Sequence, residues 1–326
     1  MLDHGSFVIS LDFEMMWGCH DWSTVEEYGT TNVRQVRSVI SRLLELFHKY
    51  DIHATFATVG LIFCNNKEEI LAYKPYLTPT YINRKRSPYR EGYIETINSN
   101  DEYLFFAPDI IELLLNTPNI EIASHTFSHY FCWEKGQTKE QFEADLQSAI
   151  SIAKKKGIVF NSIVLPRNEV SEPYLDICTS KGFVSYRGNA KKFFNNPSNR
   201  IKAIYYKVAR LVDVYMNLGG NTSHSYLSLR TENSLINVPA SRMLRPYMKH
   251  LRGLDCLRLR RITNEIQYAA MHHELYHLWW HPHNFGADMD ENFHFLEKVL
   301  QVYEECKEAY NMHSYTMAEF ANKMKH

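Results

Sequence analysis

Three clusters in this 326-residue chain carry side chains able to do chemistry. His273-Glu274-Leu275-Tyr276-His277 spells the His-Glu-x-x-His pattern of zinc peptidases, within "HHELYHLWWHPHNFG", which holds five histidines in fifteen residues. On a helix, two histidines four apart would face one metal. However, Leu275, Tyr276, Leu278, Trp279 and Trp280 favour a strand, in which residues four apart are separated by about 13 Å. The pattern therefore reads as a chance match in a histidine-rich segment. The second cluster, "ISLDFEMMWG", sets Asp12 and Glu14 on one side of a strand, where they repel unless a cation or proton lies between them. A third, "EIASHTFSHYF", places His125 and His129 four apart, so that a helical turn would offer both imidazoles to one metal. Taken alone, that spacing could equally be an incidental exposed pair. It gains weight by following a strand while carboxylates end another.

Positioning these groups requires a particular order of elements. "SFVISLDFE" is an apolar run of β-formers ending in carboxylates, as a buried strand would. "VRQVRSVISRLLELFHKY" follows at helical spacing, then strand-like "IHATFATVG". Residues 65–107, rich in Asn, Pro and Tyr, read as an elaborated connection. Helices at "APDIIELLLN", "KEQFEADLQSAISIAKKKG" and "EPYLDICTSKG" alternate with strands at "NIEIASH", "FNSIVLP" and "FVSYRG". "LYHLWWH" is a further strand, followed by a long helix over "MDENFHFLEKVLQVYEECKEAY". Strands alternating with helices predict a parallel sheet or a β/α barrel. In both, ligand and catalytic groups gather where strands end, and Asp12, Glu14, His125, Arg167 and His281 sit at such ends.

"LDFE", "ATFATVG" and "EIASHTFSH", in that order, resemble the NodB-homology polysaccharide deacetylases, carbohydrate esterase family four. The resemblance spans most of residues 6–190 and resumes at 275–320. It implies an α/β fold, a distorted (β/α) barrel, and one divalent metal ion, zinc first among several, held by a carboxylate and two histidines. It also implies hydrolysis of an N-acyl group on a sugar. On that resemblance His125 and His129 are metal ligands, Glu14 the carboxylate ligand and Asp12 the base, with the last two roles open to exchange. The family's paired aspartates are replaced here by Asp12-Phe13-Glu14. Its arginine motif falls at "VLPRNE", making Arg167 the partner of Asp12, although Pro166 and Asn168 depart from the pattern. The family's acid histidine matches His281, with His283 its near alternative and substrate contact. Trp279 and Trp280 point in opposite directions, so one faces a sugar cleft, assigned to Trp280, unless both are core residues. Asn284 is assigned to substrate or to shaping the loop.

Composition frames the substrate. The chain is 45% hydrophobic and 22% charged, ordinary for a globular protein. Residues 1–326 read as one catalytic domain, carrying the connection 65–107 and a basic, mainly helical insertion at about 191–265. From Lys191 to Arg261 there are 14 Lys and Arg against 3 acidic residues, a net of +11 in a chain whose total is −1. That block either pairs with acids elsewhere or meets an anion such as a pyrophosphate or a membrane surface. Six dispersed cysteines without Cys-x-x-Cys fit a reducing compartment. "MLDHGSFVIS" has no signal-peptide pattern and no stretch is apolar enough to span a bilayer. A cytoplasmic enzyme follows, possible at the inner membrane face as a peripheral protein. Its expected substrate is an amino sugar of a cell-envelope polysaccharide, or of a lipid- or nucleotide-linked precursor. Nucleic acid is not an expected partner, for want of a binding motif. The competing classes are a catalytically inactive carbohydrate-binding relative and a zinc peptidase.

Overall fold

The computed structural model describes residues 2–190, 209, 211–229 and 235–325. Strands β1 (Ser6–Phe13), β2 (Ala54–Thr58), β3 (Ile120–Ser124), β4 (Ser162–Ile163) and β5 (Ser185–Tyr186) alternate with helices. The helices are α1 (Val36–Lys49), α2 (Lys67–Tyr73), α3 (Pro108–Leu115), α4 (Lys139–Lys155) and α5 (Glu172–Ser180). Beyond them come β6 (His224–Ser225), α6 (Tyr226–Leu229), β7 (Ile236–Asn237) and β8 (Arg242–Met243). The chain ends with α7 (Asp255–Met271), β9 (Glu274–Trp280), α8 (Met289–Tyr310), β10 (His313–Tyr315) and α9 (Met317–Lys325).

The strand order is β6-β9-β1-β2-β3-β4-β5-β7, with β10 also on β1 and β8 also on β9. β1 is buried at every position and pairs in parallel with β2 and β9. Burial on both faces explains its nearly unbroken apolar run. Segment 236–244 curls the sheet toward closure. Ile236, Val238 and Ala240 donate N–H bonds to Val184, Tyr186 and Gly188 on the β5 side, then Ser241 and Leu244 donate to His277 and Trp279 on the β9 side. This is the expected distorted barrel, its far wall built from two-residue strands.

The face of β1 that carries Asp12 also carries Ser10 and Val8. Val8 packs with Val164, Val238, Leu275, Met317 and Phe320, filling the interior on the side away from Asp12. A larger core lies between strands and helices. There α1 presents Val36, Val39, Ile40, Leu43, Leu44 and Phe47, the stripe read from its spacing.

The basic insertion is described in part, with α6 and the start of α7 as its α-helices alongside three two-residue strands. Residues 191–208, 210 and 230–234 fall outside the described residues. Several of its cations are structural. Arg242 binds Glu265 through Nε at 2.7 Å and Nη2 at 2.8 Å, and Arg261 Nη1 lies 3.0 Å from the same carboxylate. Arg258 donates to the Arg245 and Pro246 carbonyls. All three are buried, and a buried ion without partners would be strongly destabilising.

Candidate active site

The carboxyl ends of β1, β3, β4, β8 and β9 converge on one cavity of about 350 Å³. Asp12, Glu14, His129, Arg167, Trp279 and His281 are among its lining residues. Glu14 follows β1, and the chain turns directly after it, with Met15 at a left-handed φ of 49°. Its carboxylate lies over Gly18, where any Cβ would collide with it. Only glycine fits there.

The Glu14 Oε1 atom lies 3.1 Å from His125 Nε2 and 3.2 Å from His129 Nε2. His125 Nδ1 donates to the Val164 carbonyl at 2.8 Å, so its Nε2 lone pair faces the carboxylate. A lone pair facing a negative oxygen needs a proton or cation between them, and one carboxylate with two imidazoles suits a divalent ion. The donor atoms of Glu14, His125 and His129 all lie within 4.8 Å of one another and all three residues are buried. The set fits the implied metal.

The two histidines are not on a helical turn, contrary to expectation. After β3 the chain runs as an irregular loop, with Thr126 at φ 63° and His129 at φ 57°. Asp145, buried on α4, holds this loop. It accepts the Phe127 N–H at 2.7 Å, the Ser128 N–H at 3.2 Å and the Ser128 hydroxyl. Thr126 Oγ1 accepts the Tyr130 N–H at 2.8 Å. Side-chain caps thus replace helical geometry in bringing the rings together.

Arg187, just past β5, grips Asp12 with two parallel bonds of 2.7 Å. Its Nη1 also donates to Ser10 Oγ at 2.9 Å and its Nε to Asn168 Oδ1 at 3.0 Å. The assignment of Arg167 as the partner of Asp12 is therefore corrected. Arg167 turns away, donating to Asp21 at 2.8 Å and lying over Phe131 at 4.1 Å. Its left-handed backbone, φ 56°, aims it toward the cavity rim. Arg187 directly follows β5 at "FVSYRG", so its signal in the sequence is the strand-end position it shares with Asp12, His125 and His281.

Burial pushes the Asp12 carboxyl up, but Arg187, His125 and His281 outweigh it and leave the group below its ordinary range. Glu14 is likewise pushed up by burial and held well below its usual value by His281, His129 and His125. His281 Nε2 lies 3.4 Å from Glu14 Oε1 and 3.8 Å from Asp12 Oδ2. Burial favours its neutral form, but the two carboxylates raise its pKa on balance. Asn284 Nδ2 lies 3.4 Å from His281 Nδ1, and His283 stacks on the same ring at 5.0 Å. Burial and the His281 charge depress His283 to about 3.

The assignment of Trp280 to substrate is also corrected. Trp280 is fully buried, stacked on Phe285, whereas Trp279 lines the cavity beneath the Arg187 guanidinium. The His-Glu-x-x-His motif does not form a metal pair. His273 is exposed ahead of β9, and buried His277 bonds Ser10 Oγ at 2.8 Å and the Val238 carbonyl at 3.0 Å.

A sequence profile described as polysaccharide deacetylase matches residues 20–184, just over half of the chain. The chain belongs to the polysaccharide deacetylase family. The matched segment includes His125 and His129, while Asp12, Glu14, Arg187 and His281 lie outside it. No curated protein matches the chain in sequence. Among solved structures, a polysaccharide deacetylase candidate from Mycobacterium smegmatis superposes with a TM-score of 0.61 at 12% identity, covering 100% of this chain and 92% of that one. A polysaccharide deacetylase candidate from Pseudomonas aeruginosa PAO1 gives 0.53 at 10% identity, covering 98% and 89%. The Puue allantoinase gives 0.51 at 10% identity, covering 97% and 89%. At such identities the likeness establishes the fold.

Proposed function

We propose that this family member is a metal-dependent N-deacylase acting on an amino sugar of a cell-envelope polysaccharide, or of its lipid- or nucleotide-linked precursor. One observation carries the reading: Glu14 meets His125 and His129 at the end of a cavity that Asp12 and His281 also face. A divalent ion, zinc first among the candidates, would be held by Glu14, His125 and His129 and would supply Lewis-acid polarisation of the acyl carbonyl and of water.

The protein's own groups do the rest. Asp12, kept ionised by Arg187, accepts the proton of the attacking water at a carboxylate oxygen. His281, whose Nε2 faces Asp12 and Glu14 across the cavity, donates from that atom to the departing amine nitrogen. Trp279 offers an aromatic wall to the sugar, with His283 and Asn284 fixing the His281 ring and contacting substrate. A cytoplasmic location agrees with the cysteines, all six unpaired and five of them buried. No helix among the described residues is long and apolar enough to cross a membrane.

The test is release of free amine from N-acetylated hexosamine oligosaccharides with zinc or cobalt supplied. Wild type should turn over, and Asp12→Asn and His281→Ala should each lose about a hundredfold or more in kcat with metal retained. Binding of the sugar with bound metal but no amine release would instead establish a carbohydrate-binding protein.

A further inference from the structure

Residues 71–90, "LAYKPYLTPTYINRKRSPYR", contain five Lys and Arg and no acidic residue. The same run holds four exposed large apolar side chains: Leu71, Tyr76, Leu77 and Ile82, the last three-quarters exposed. Single exposed apolar residues are ordinary, but a run of them interleaved with exposed Lys74, Arg84 and Lys85 is not. A second segment extends the feature. Ile82 N–H donates to the Lys135 carbonyl at 2.8 Å and the Thr80 hydroxyl to Gly136 at 2.5 Å, placing exposed Trp133 and Lys135 on the adjoining turn. Glu134, the acid of that turn, is engaged by Arg86 Nε at 3.3 Å.

This surface adjoins the catalytic cavity. Arg86 pairs with Asp21, which Arg167 of the cavity rim also binds. Arg90 Nη2 donates to the His20 carbonyl at 3.1 Å, and His20 Nε2 lies 3.2 Å from the Arg86 carbonyl. These contacts tie the basic run to the loop whose next residue, Trp22, lines the cavity and is 59% exposed.

We infer that residues 76–86 and the Trp133 turn dock on the surface of an anionic lipid bilayer, bringing the cavity beside a lipid-linked sugar. Aromatic and aliphatic side chains enter the headgroup boundary while Arg84, Lys85 and Lys135 meet lipid phosphates. A nucleic acid would use the cations and aromatic faces but leave Leu71, Leu77 and Ile82 in water. The docking site is distinct from the basic insertion, several of whose arginines are paired inside the fold. The lipid-linked substrate rests on the deacylase reading. Docking does not.

The full chain is tested by co-sedimentation with phosphatidylcholine vesicles, with or without phosphatidylglycerol. Wild type should bind only the anionic vesicles, more weakly as salt rises. Arg84→Glu/Lys85→Glu should lose tenfold or more, each neutralised cation alone being worth about fivefold near an anionic surface. Ile82→Glu/Trp133→Glu should lose binding similarly, whereas Lys249→Glu/Arg252→Glu in the basic insertion should retain it. These positions are exposed, so an unchanged melting temperature confirms folding. Absence of wild-type binding, retention by both docking-face variants, or loss only in the Lys249→Glu/Arg252→Glu protein overturns the proposal. Vesicle binding without deacylation would overturn the functional reading alone.

Discussion

His125 and His129 share the spacing of His273 and His277, yet only the first pair converges on a carboxylate. The second is divided between an exposed turn and a buried strand position. Spacing alone therefore carries no ligand geometry; the backbone between the residues decides. In neither pair is that backbone a helix. His125 and His129 meet because left-handed Thr126 and His129, clamped by Asp145, fold the loop back on itself. His277 is committed elsewhere, bridging β1 to segment 236–244 through Ser10 and Val238.

The largest effect expected from breaking this comparison is on metal content. His125→Ala/His129→Ala should lose about one metal per chain, because removing two of three protein ligands leaves no site. His273→Ala should keep the metal and full activity. Metal analysis after purification checks both, and metal loss in His273→Ala alone would restore the peptidase reading.

Next in size comes a contrast between two arginines at the same end of the barrel. Arg187→Lys exchanges a bidentate grip for a point charge at a buried carboxylate and should lower kcat about a hundredfold with little change in KM. Arg167→Lys alters an exposed contact to Asp21 and should mainly shift KM, by less than tenfold. Equal kcat losses in the two variants would count against Arg187 as the group that orients Asp12.

That contrast also marks what the sequence could reveal. Long buried strands such as β1 and β2, and the striped helix α1, announce themselves by pattern. β4 and β5 fall within the strands read at "FNSIVLP" and "FVSYRG", but β6, β7 and β8 are two residues each, too short for periodicity, and their place depends on how the barrel curls. Arg187 reaches Asp12 only across that curl, whereas Arg167 lay closer to the expected motif. Trp279 and Trp280 present a related limit. Alternation established that one faces inward, but the choice needed the register. Ser10 pairs with Trp279 and Leu11 with Trp280, so Trp279 joins the face of Ser10 and Asp12. Asp12, Glu14 and His125 are legible because each lies within a residue or two of a strand end, and His129 through its spacing from His125.

The smallest effect concerns pH and stability. Burial, with the Arg187 charge, depresses His277 to about 3 from an ordinary value near 6.5. Below pH of about 6.5 the unfolded chain takes up a proton that the folded protein refuses until about 3, so stability is lost as pH falls through that window. The slope approaches about 1.4 kcal/mol per pH unit for each such histidine. His20 and His283, also held near 3 chiefly by burial, contribute in the same direction. His277→Gln should flatten the dependence by one histidine's share, whatever its effect on stability at neutral pH. Urea unfolding of both proteins at several pH values measures it. An unchanged slope would mean that His277 titrates alike in the folded and unfolded chains, and the contrast between a committed structural histidine and the metal-facing pair would lose its electrostatic basis.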